Sequence, residues 1–246
     1  MSDAAATVAR LAESHRVATD RHVVVGITGA VAVGKSHFAD AVADALRTGP
    51  HSLRAAVVTT DGFLFPNHVL VHRGILMRKG FPESYDVEQL RAFVAAVREG
   101  VQPVRVPVYS HEIYDVLPNA AHEIEPGEVT IIEGVNALSA LDGLLDVGVY
   151  LDAAVDDIES WFVARFLALR EEARDDPRSF YRGFAEMSEA DADAAARNVW
   201  REVNLVNLLE CIQPSRDRAD CVVVKARDHS VESVTVRTSE GEHRAD

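Results

Sequence analysis

The chain is poor in cysteine and lysine and has no long apolar run. Its two cysteines, Cys211 and Cys221, are too few for a disulfide framework, so a reducing compartment is the simplest setting. No apolar run reaches the roughly 18 residues that a membrane span needs. Residues 1–21 also lack the basic and apolar regions of a secretion signal. The sequence therefore predicts a soluble, cytoplasmic protein.

Basic residues are outnumbered as well. The 246 residues include 25 Lys and Arg against 39 Asp and Glu, a net charge of −14. This balance gives no general positive field, which argues against nucleic acid and anionic membranes as partners. Any bound phosphate must then be held locally. The length predicts one domain over 1–246, with a helical appendage at 1–20 and a flexible tail at 238–246.

One stretch matches the phosphate-loop pattern G-x-x-x-x-G-K-[ST]. It consists of Gly29, Ala30, Val31, Ala32, Val33, Gly34, Lys35 and Ser36. An apolar run at 23–28 precedes it and a helical pattern follows, which is the context that this motif requires. Backbone amides and the helix N-terminus bind phosphate there, Lys35 bridges the outer phosphates, and the Ser36 hydroxyl faces Mg²⁺. A chance glycine-rich turn is the alternative, which the flanking strand and helix disfavour.

Two further apolar runs end next to acidic residues. The run at 55–59 is followed by Asp61, and the run at 129–132 is followed by Glu133. In a parallel sheet both carboxylates would lie at the edge where ligands bind. Glu133 occupies the place of an acid that orients Mg²⁺, directly or through water. The alternative for both residues is the capping of a turn or helix.

Apolar runs alternate with helical periodicity along the rest of the chain. This alternation predicts an α/β fold with a mainly parallel central sheet and helices on both faces. Residues 63–86 lack sustained periodicity and are interpreted as an excursion that covers the site. Residues 171–188 are charged and broken by proline and glycine, which is typical of a mobile lid. A β-ribbon is predicted from 104–109 and 121–125.

Five stretches together carry a family resemblance. They read GAVAVGKS at 29–36, TTDGFLFPN at 59–67, RKGFPESYD at 78–86, VYSHEIYD at 108–115 and IIEGVN at 131–136. From about residue 22 to 237 the chain closely resembles the bacterial type I pantothenate kinases. The resemblance implies a P-loop NTPase fold and MgATP-dependent phosphorylation of the primary hydroxyl of pantothenate, which opens coenzyme A biosynthesis. It also implies a homodimer inhibited by coenzyme A.

The resemblance also implies roles for individual residues. Lys35 matches the phosphate-binding lysine, and Ser36 with Glu133 matches the metal side. Asp61 matches the acid at the acceptor hydroxyl, where a carboxylate positions the hydroxyl and accepts its proton late. Arg165 matches an arginine that stabilises the transferred phosphoryl group; alternatively, it pairs with a core carboxylate.

The implied acceptor and adenine sites involve other parts of the chain. The acceptor set is Tyr109, His111, Tyr114, Phe162 and Asn204, of which the histidine is also implied near an overlapping coenzyme A site. Packing alone is the alternative for Tyr114, and Asn207 is an alternative to Asn204. The nucleotide set adds His37, Lys225 and His229 to the loop, although an exposed turn explains 225–229 nearly as well.

Some residues depart from the family pattern. His37 stands where threonine is common, Asp40 where a basic residue is common, and Phe162 where a tyrosine that contacts substrate is usual. The lid lacks part of the family's aromatic set, and the chain begins later than is typical. A carboxylate at position 40 predicts weak coenzyme A inhibition, because it reverses a Coulomb attraction of about 1 kcal/mol or more. A kinase for another small alcohol, such as a nucleoside or sugar, and a non-catalytic ATP sensor remain as alternatives.

Overall fold

A computed structural model describes residues 2–238 and 241–245, with side chains described up to residue 237. The strands are β1 (Val23–Gly29), β2 (Ala55–Thr59), β3 (Val104–Ser110), β4 (Asp115–Ile124), β5 (Val129–Glu133), β6 (Val147–Ala153), β7 (Cys221–Lys225), β8 (Val231–Thr238) and β9 (Gly241–Ala245). The helices are α1 (Ser2–Thr19), α2 (Lys35–Thr48), α3 (Asn67–His72), α4 (Val87–Arg98), α5 (Ala137–Ala140), α6 (Val155–Glu172), α7 (Glu189–Val199) and α8 (Leu205–Asn207).

Seven strands form the central sheet in the order β2-β5-β1-β6-β7-β8-β9. The first five run parallel, whereas β8 and β9 are antiparallel additions at one edge. All residues of β1 are buried, as expected for a parallel strand covered on both faces. The predicted α/β class with a mainly parallel sheet is confirmed.

Successive side chains of β1 point to opposite faces of the sheet, so the strand contributes to two layers of the hydrophobic core, one on each face. Val23, Val25 and Ile27 pack with buried residues of α1 and α2, whereas Val24 packs with buried residues of α4. Helix α1, predicted as an appendage, buries alanines and Val8 in the same layer as α2. The interpretation of 1–246 as a single domain stays a prediction.

The excursion at 63–86 has more local structure than the sequence predicts. It contains α3 and the short 3₁₀ turns Leu76–Arg78 and Pro82–Ser84. A hydrogen bond connects the two ends of the excursion, in which the Asp86 N–H donates to the Phe63 carbonyl over 2.7 Å. The β-ribbon is confirmed as the antiparallel pair β3 and β4.

Helix α7 continues through π-helical turns at Trp200–Asn204 and Leu208–Ile212, with α8 between them. Within the tail at 238–246, whose flexibility stays a prediction, the backbone of β9 pairs with β8. Residues 239–240 and 246 of that tail lie outside the described residues. No described helix is both long and apolar enough to cross a membrane.

Candidate active site

The phosphate loop joins β1 to α2, as predicted, and its shape depends on glycine. Gly34 has φ +88°, and a Cβ there would lie 2.9 Å from the Lys225 ammonium nitrogen. At Gly29 a Cβ would lie 2.5 Å from the Leu151 carbonyl oxygen. Ala32 also adopts a left-handed conformation, with φ 65°. The backbone thus curls tightly before α2, whose N-terminus is suited to an anion.

Lys35 lies among the other charged residues of the site. Its Nζ donates to the Ala30 carbonyl over 3.0 Å. Burial lowers the pKa of Lys35, while the Glu133 and Asp61 carboxylates oppose that shift and Arg165 adds to it. The structure therefore brings together the four charged residues that the sequence singled out.

Ser36 and Glu133 form an oxygen-rich pair. The Ser36 hydroxyl donates to Oε1 of Glu133 over 2.9 Å, and Glu133 is buried at the end of β5. Mg²⁺ in phosphoryl-transfer sites typically takes one or two protein oxygens and completes its shell with water and substrate phosphates. This hydroxyl and carboxylate fit that requirement.

The C-terminal segment contacts the phosphate loop. The buried Lys225 ammonium donates to the Val33 carbonyl over 2.8 Å and lies 3.5 Å from Nδ1 of His229. The His229 ring stacks on Trp161 with 4.0 Å between ring centroids. His37 is exposed at the start of α2 and contributes to lowering the pKa of His229, after burial and Lys225. Residues 227–230 form an exposed turn, as the alternative interpretation has it, and this turn places Lys225 and His229 beside the phosphate loop.

Asp61 lies in a 3₁₀ turn directly after β2. The cap of that turn is the Thr59 hydroxyl, which accepts from the Asp61 backbone N–H over 3.3 Å. Within the described part of the chain, no donor is hydrogen-bonded to the Asp61 carboxylate. The side chain is therefore not a turn cap, and its oxygens remain available to a ligand.

Aromatic residues from the β3–β4 hairpin form the wall opposite Asp61. The Tyr109 ring lies 5.1 Å from the His111 ring and 6.2 Å from the Tyr114 ring, centroid to centroid. Burial raises the pKa of Tyr114 to about 12, with Tyr181 and Asp61 contributing. Burial also raises the pKa of Tyr109, where Asp61 again contributes. Both phenols are therefore neutral donors near the Asp61 carboxylate.

Lys79 joins this wall, although the sequence interpretation assigned it no role. Its buried Nζ donates to Oδ1 of Asn67 over 2.7 Å and to the Tyr114 carbonyl over 2.5 Å. It also lies 4.2 Å from the centroid of the Tyr114 ring. Burial lowers the pKa of Lys79 to about 8, against the attraction of Asp115 and Asp61. The sequence signal that could have identified Lys79 is the scarcity of lysine, since the chain has three lysines.

Helix α6 and the π-helical turns contribute the remaining predicted residues. Arg165 is exposed and forms no ion pair with any described residue, so the alternative of a core pair is not observed. Phe162 packs against Phe166 and Trp200 at centroid distances of 6.3 and 5.9 Å. The Asn204 amide donates over 3.4 Å to a carbonyl of its own helix. The buried Asn207 amide donates to the Gly80 carbonyl, next to Lys79, over 2.9 Å.

A phosphate loop with an oxygen pair beside it and a free carboxylate opposite it defines a P-loop kinase. The family model for "Phosphoribulokinase / Uridine kinase family" matches residues 24–175. A pantothenate kinase of Rhodococcus jostii is 43% identical over 240 residues, which cover 95% of this chain and 76% of the relative. One from Rhizobium johnstonii is 41% identical over 226 residues, 87% of this chain and 68% of the relative.

Solved structures agree with this class. A kinase of Silicibacter sp. TM1040, provisionally described as part of a fructose transport system, has a TM-score of 0.67 and 25% identity, with 87% of this chain and 94% of that chain covered. The chain therefore belongs to the phosphoribulokinase / uridine kinase family and, among its members, to the pantothenate kinases. The resemblance inferred from the sequence is confirmed. Membership makes the protein an ATP-using phosphotransferase with a small-molecule alcohol acceptor.

Replacing the lysine that contacts the phosphate loop should weaken ATP binding. Lys225→Met removes the hydrogen bond to the Val33 carbonyl, and bonds that involve a charged group contribute about 1.5 to 3 kcal/mol. We expect the KM for ATP to rise about ten-fold, because part of that energy holds the loop in its binding shape. The matched control is Arg227→Met, since Arg227 is 82% exposed and 3.9 Å from Asp157. Equal KM values in the two variants would contradict this role.

Proposed function

We propose that the protein transfers the γ-phosphoryl group of ATP to the primary hydroxyl of pantothenate, which is the first step of coenzyme A biosynthesis. The observation that carries the proposal is the Asp61 carboxylate, which accepts no hydrogen bond from any described residue and interacts electrostatically with Lys35, Tyr109 and Tyr114. The names of the relatives support pantothenate as the acceptor. Because the phosphoryl donor is ATP, we place the reaction in the cytoplasm.

On the donor side, the loop amides and Lys35 hold the β- and γ-phosphates. We propose that Ser36 and Glu133 hold Mg²⁺, which when bound neutralises charge on those phosphates. Arg165 forms no ion pair with any described residue and lies within electrostatic range of Lys35, which suits it to the charge on the transferred group. His37, Lys225 and His229 complete the nucleotide side.

On the acceptor side, Asp61 accepts a hydrogen bond from the primary hydroxyl and aligns its oxygen with the γ-phosphorus. The new bond joins that oxygen to phosphorus, the bond from phosphorus to the β–γ bridging oxygen breaks, and ADP leaves. The hydroxyl proton passes to Asp61 and then to solvent. Because the transition state is loose, an ordinary carboxylate suffices, and most of the acceleration comes from alignment and charge neutralisation.

We propose that Tyr109, His111, Tyr114, Phe162 and Asn204 enclose the acceptor and that Lys79 supplies its cation. The Lys79 ammonium has three N–H groups and donates two of them to Asn67 and Tyr114. The third is available to an oxygen of an anionic acceptor. The carboxylate of pantothenate provides such an acceptor, whereas neutral sugars and nucleosides do not.

The acceptor is tested by measuring ADP release with MgATP against pantothenate, pantetheine, nucleosides and sugars. We expect acceleration by pantothenate, and we expect Asp61→Ala to bind ATP with near-normal affinity but to lose at least about 100-fold in turnover, the usual contribution of a general base. Acceleration by a sugar or nucleoside alone would favour the alternative acceptor that the hydrocarbon side chain of Phe162 suggests. Acceleration by no compound would favour an ATP sensor.

The Lys79 ammonium should impose an alkaline limit on acceptor use. With a pKa near 8, Lys79 is charged at pH 7 and neutral above pH 9, so kcat/KM for pantothenate should fall as pH rises through about 8. Lys79→Met should lower kcat/KM at pH 7 and remove that decline. The profile of kcat/KM between pH 6.5 and 9.5, measured on both proteins, checks this, and persistence of the same decline in the variant would contradict it.

We also propose a homodimer that coenzyme A inhibits weakly. Asp40 is exposed in the second turn of α2, where its negative charge opposes an incoming phosphate. Asp40→Arg should therefore strengthen inhibition by coenzyme A several-fold, by a charge reversal of about 1 kcal/mol or more. Asp44→Arg, one turn further along the same helix and also exposed, is the control. Potent ATP-competitive inhibition of the unmodified protein would contradict the role of Asp40.

A further inference from the structure

The stretch 171–188, predicted as a lid, corresponds to residues 173–188 between α6 and α7, because residues 171 and 172 belong to α6. One end of its central turn rests on the acceptor hairpin, because the Phe180 N–H donates to the Glu112 carbonyl over 2.9 Å. The Phe180 ring also stacks on Tyr114, with 4.6 Å between centroids and 25° between planes. The lid therefore contacts the wall of the acceptor site in this structure.

The other end of the lid is held from α6. Arg170, which is 6% exposed, donates through Nε to the Phe184 carbonyl over 2.9 Å and through Nη2 to the Met187 carbonyl. On α6, Arg170 follows Arg165 by roughly one and a half helical turns. The residues between the two anchored ends thus have a defined position over the site.

Tyr181 lies between those anchors, and its ring is fixed on two sides. It meets the Phe166 ring edge-on, with centroids 5.5 Å apart and an interplanar angle of 81°. It meets the Phe180 ring at 5.3 Å and 89°. Its backbone N–H donates to the Ser179 hydroxyl over 3.2 Å. Because the ring has no freedom to turn outward without breaking these contacts, its hydroxyl has a set direction.

The surroundings of the Tyr181 hydroxyl are those of the acceptor site. Burial raises the pKa of Tyr181, and Arg165 opposes that rise. Tyr181 in turn contributes to the raised pKa values of Tyr109 and Tyr114. Among the described residues, none is hydrogen-bonded to this hydroxyl. The phenol is half-buried, has no hydrogen-bond partner among the described residues, and is adjacent in the chain to Phe180, which stacks on Tyr114, so its hydroxyl is suited to a ligand in the acceptor site.

Two described residues on the α6 side, Phe162 and Phe166, offer no hydrogen-bond donor, and the Arg165 guanidinium on the same helix is assigned to the transferred phosphoryl group. Phe162 and Phe166 present hydrocarbon there, and both pack into an aromatic group with Trp200, Tyr181 and Phe184. Tyr181 therefore adds a hydroxyl to the hydrocarbon faces of Phe162 and Phe166. Because Tyr181 belongs to the lid, the position of this hydroxyl depends on the contacts that the lid makes with Tyr114 and α6.

We propose that Tyr181 is an acceptor-binding residue, whose hydroxyl donates a hydrogen bond to a carbonyl or carboxylate oxygen of the bound acceptor and so lets the acceptor hold the lid closed. The proposal rests on the proposed function, because it requires an acceptor with such an oxygen. Pantothenate carries both an amide and a carboxylate. The consequence is that acceptor binding, rather than ATP binding, depends on the Tyr181 hydroxyl.

The test is Tyr181→Phe, which removes one oxygen and keeps the ring contacts with Phe166 and Phe180. We expect the KM for pantothenate to rise about three- to ten-fold, as for one hydrogen bond to a neutral donor, with the KM for ATP unchanged. In hydrogen exchange, pantothenate should protect the lid amides of the unmodified protein and protect those of the variant less. Tyr150→Phe is the matched control, since it loses the same oxygen from a 1% exposed side chain in the core.

The two proposals fail in different ways. If pantothenate does not accelerate ADP release by the unmodified protein, the proposed function fails before any variant is measured. If the unmodified protein is active and Tyr181→Phe leaves the KM for pantothenate unchanged, the role of Tyr181 is overturned. A rise that is equal for pantothenate and ATP also overturns it, because loosened packing of the lid would explain that result without a bond to the acceptor.

Discussion

The position of β5 between β1 and β2 is the constraint on which the site depends. In the parallel register, Glu133 lies opposite Ile27 of β1 and Thr59 of β2. The phosphate loop begins two residues after Ile27, and Asp61 follows two residues after Thr59. A single level of the sheet therefore delivers the loop, the strand-end acid and the acceptor-side acid to one edge. A slip of one residue in either pairing would turn these side chains to opposite faces of the sheet.

An acidic chain has few cations with which to bind anionic ligands, and its lysines are concentrated at the candidate site. All three lysines lie in the site, with Lys79 and Lys225 buried and Lys35 half-buried. Each donates to a backbone carbonyl, and burial lowers the pKa of each. The exposed cations are arginines, many of them in ion pairs such as Arg47 with Asp44. Arginine suits those pairs because its charge does not titrate, whereas lysine is a compact point charge for a phosphate.

Local signals in the sequence were sufficient for the framework of the fold and for the donor half of the site. Apolar runs mark β1, β2, β5 and β6, and the loop motif fixes where β1 ends and α2 begins. The acceptor half required contacts between distant segments, which no local pattern encodes. Lys79 is hydrogen-bonded to Tyr114, which is 35 residues away in the sequence, and Asn207 is hydrogen-bonded to Gly80, which is 127 residues away. Nothing in the sequence distinguishes Tyr181 from the other residues of a charged segment that is interrupted by proline and glycine. Only in the folded protein do contacts with Phe166 and Phe180 fix its ring. The shape of the lid and the short helix α3 likewise depend on what they pack against.

The most direct test of the account is to find where the phosphoryl group goes. The protein is incubated with MgATP and pantothenate, and the products are followed by ³¹P nuclear magnetic resonance with coupling to the protons of the esterified carbon. The account predicts that ADP and a phosphomonoester on the primary CH₂–OH of pantothenate appear in equal amounts, with the ester signal split by the two protons of that CH₂ group. Inorganic phosphate in place of the ester, or an ester on the secondary hydroxyl, would contradict the alignment of the primary hydroxyl between Asp61 and the phosphate loop.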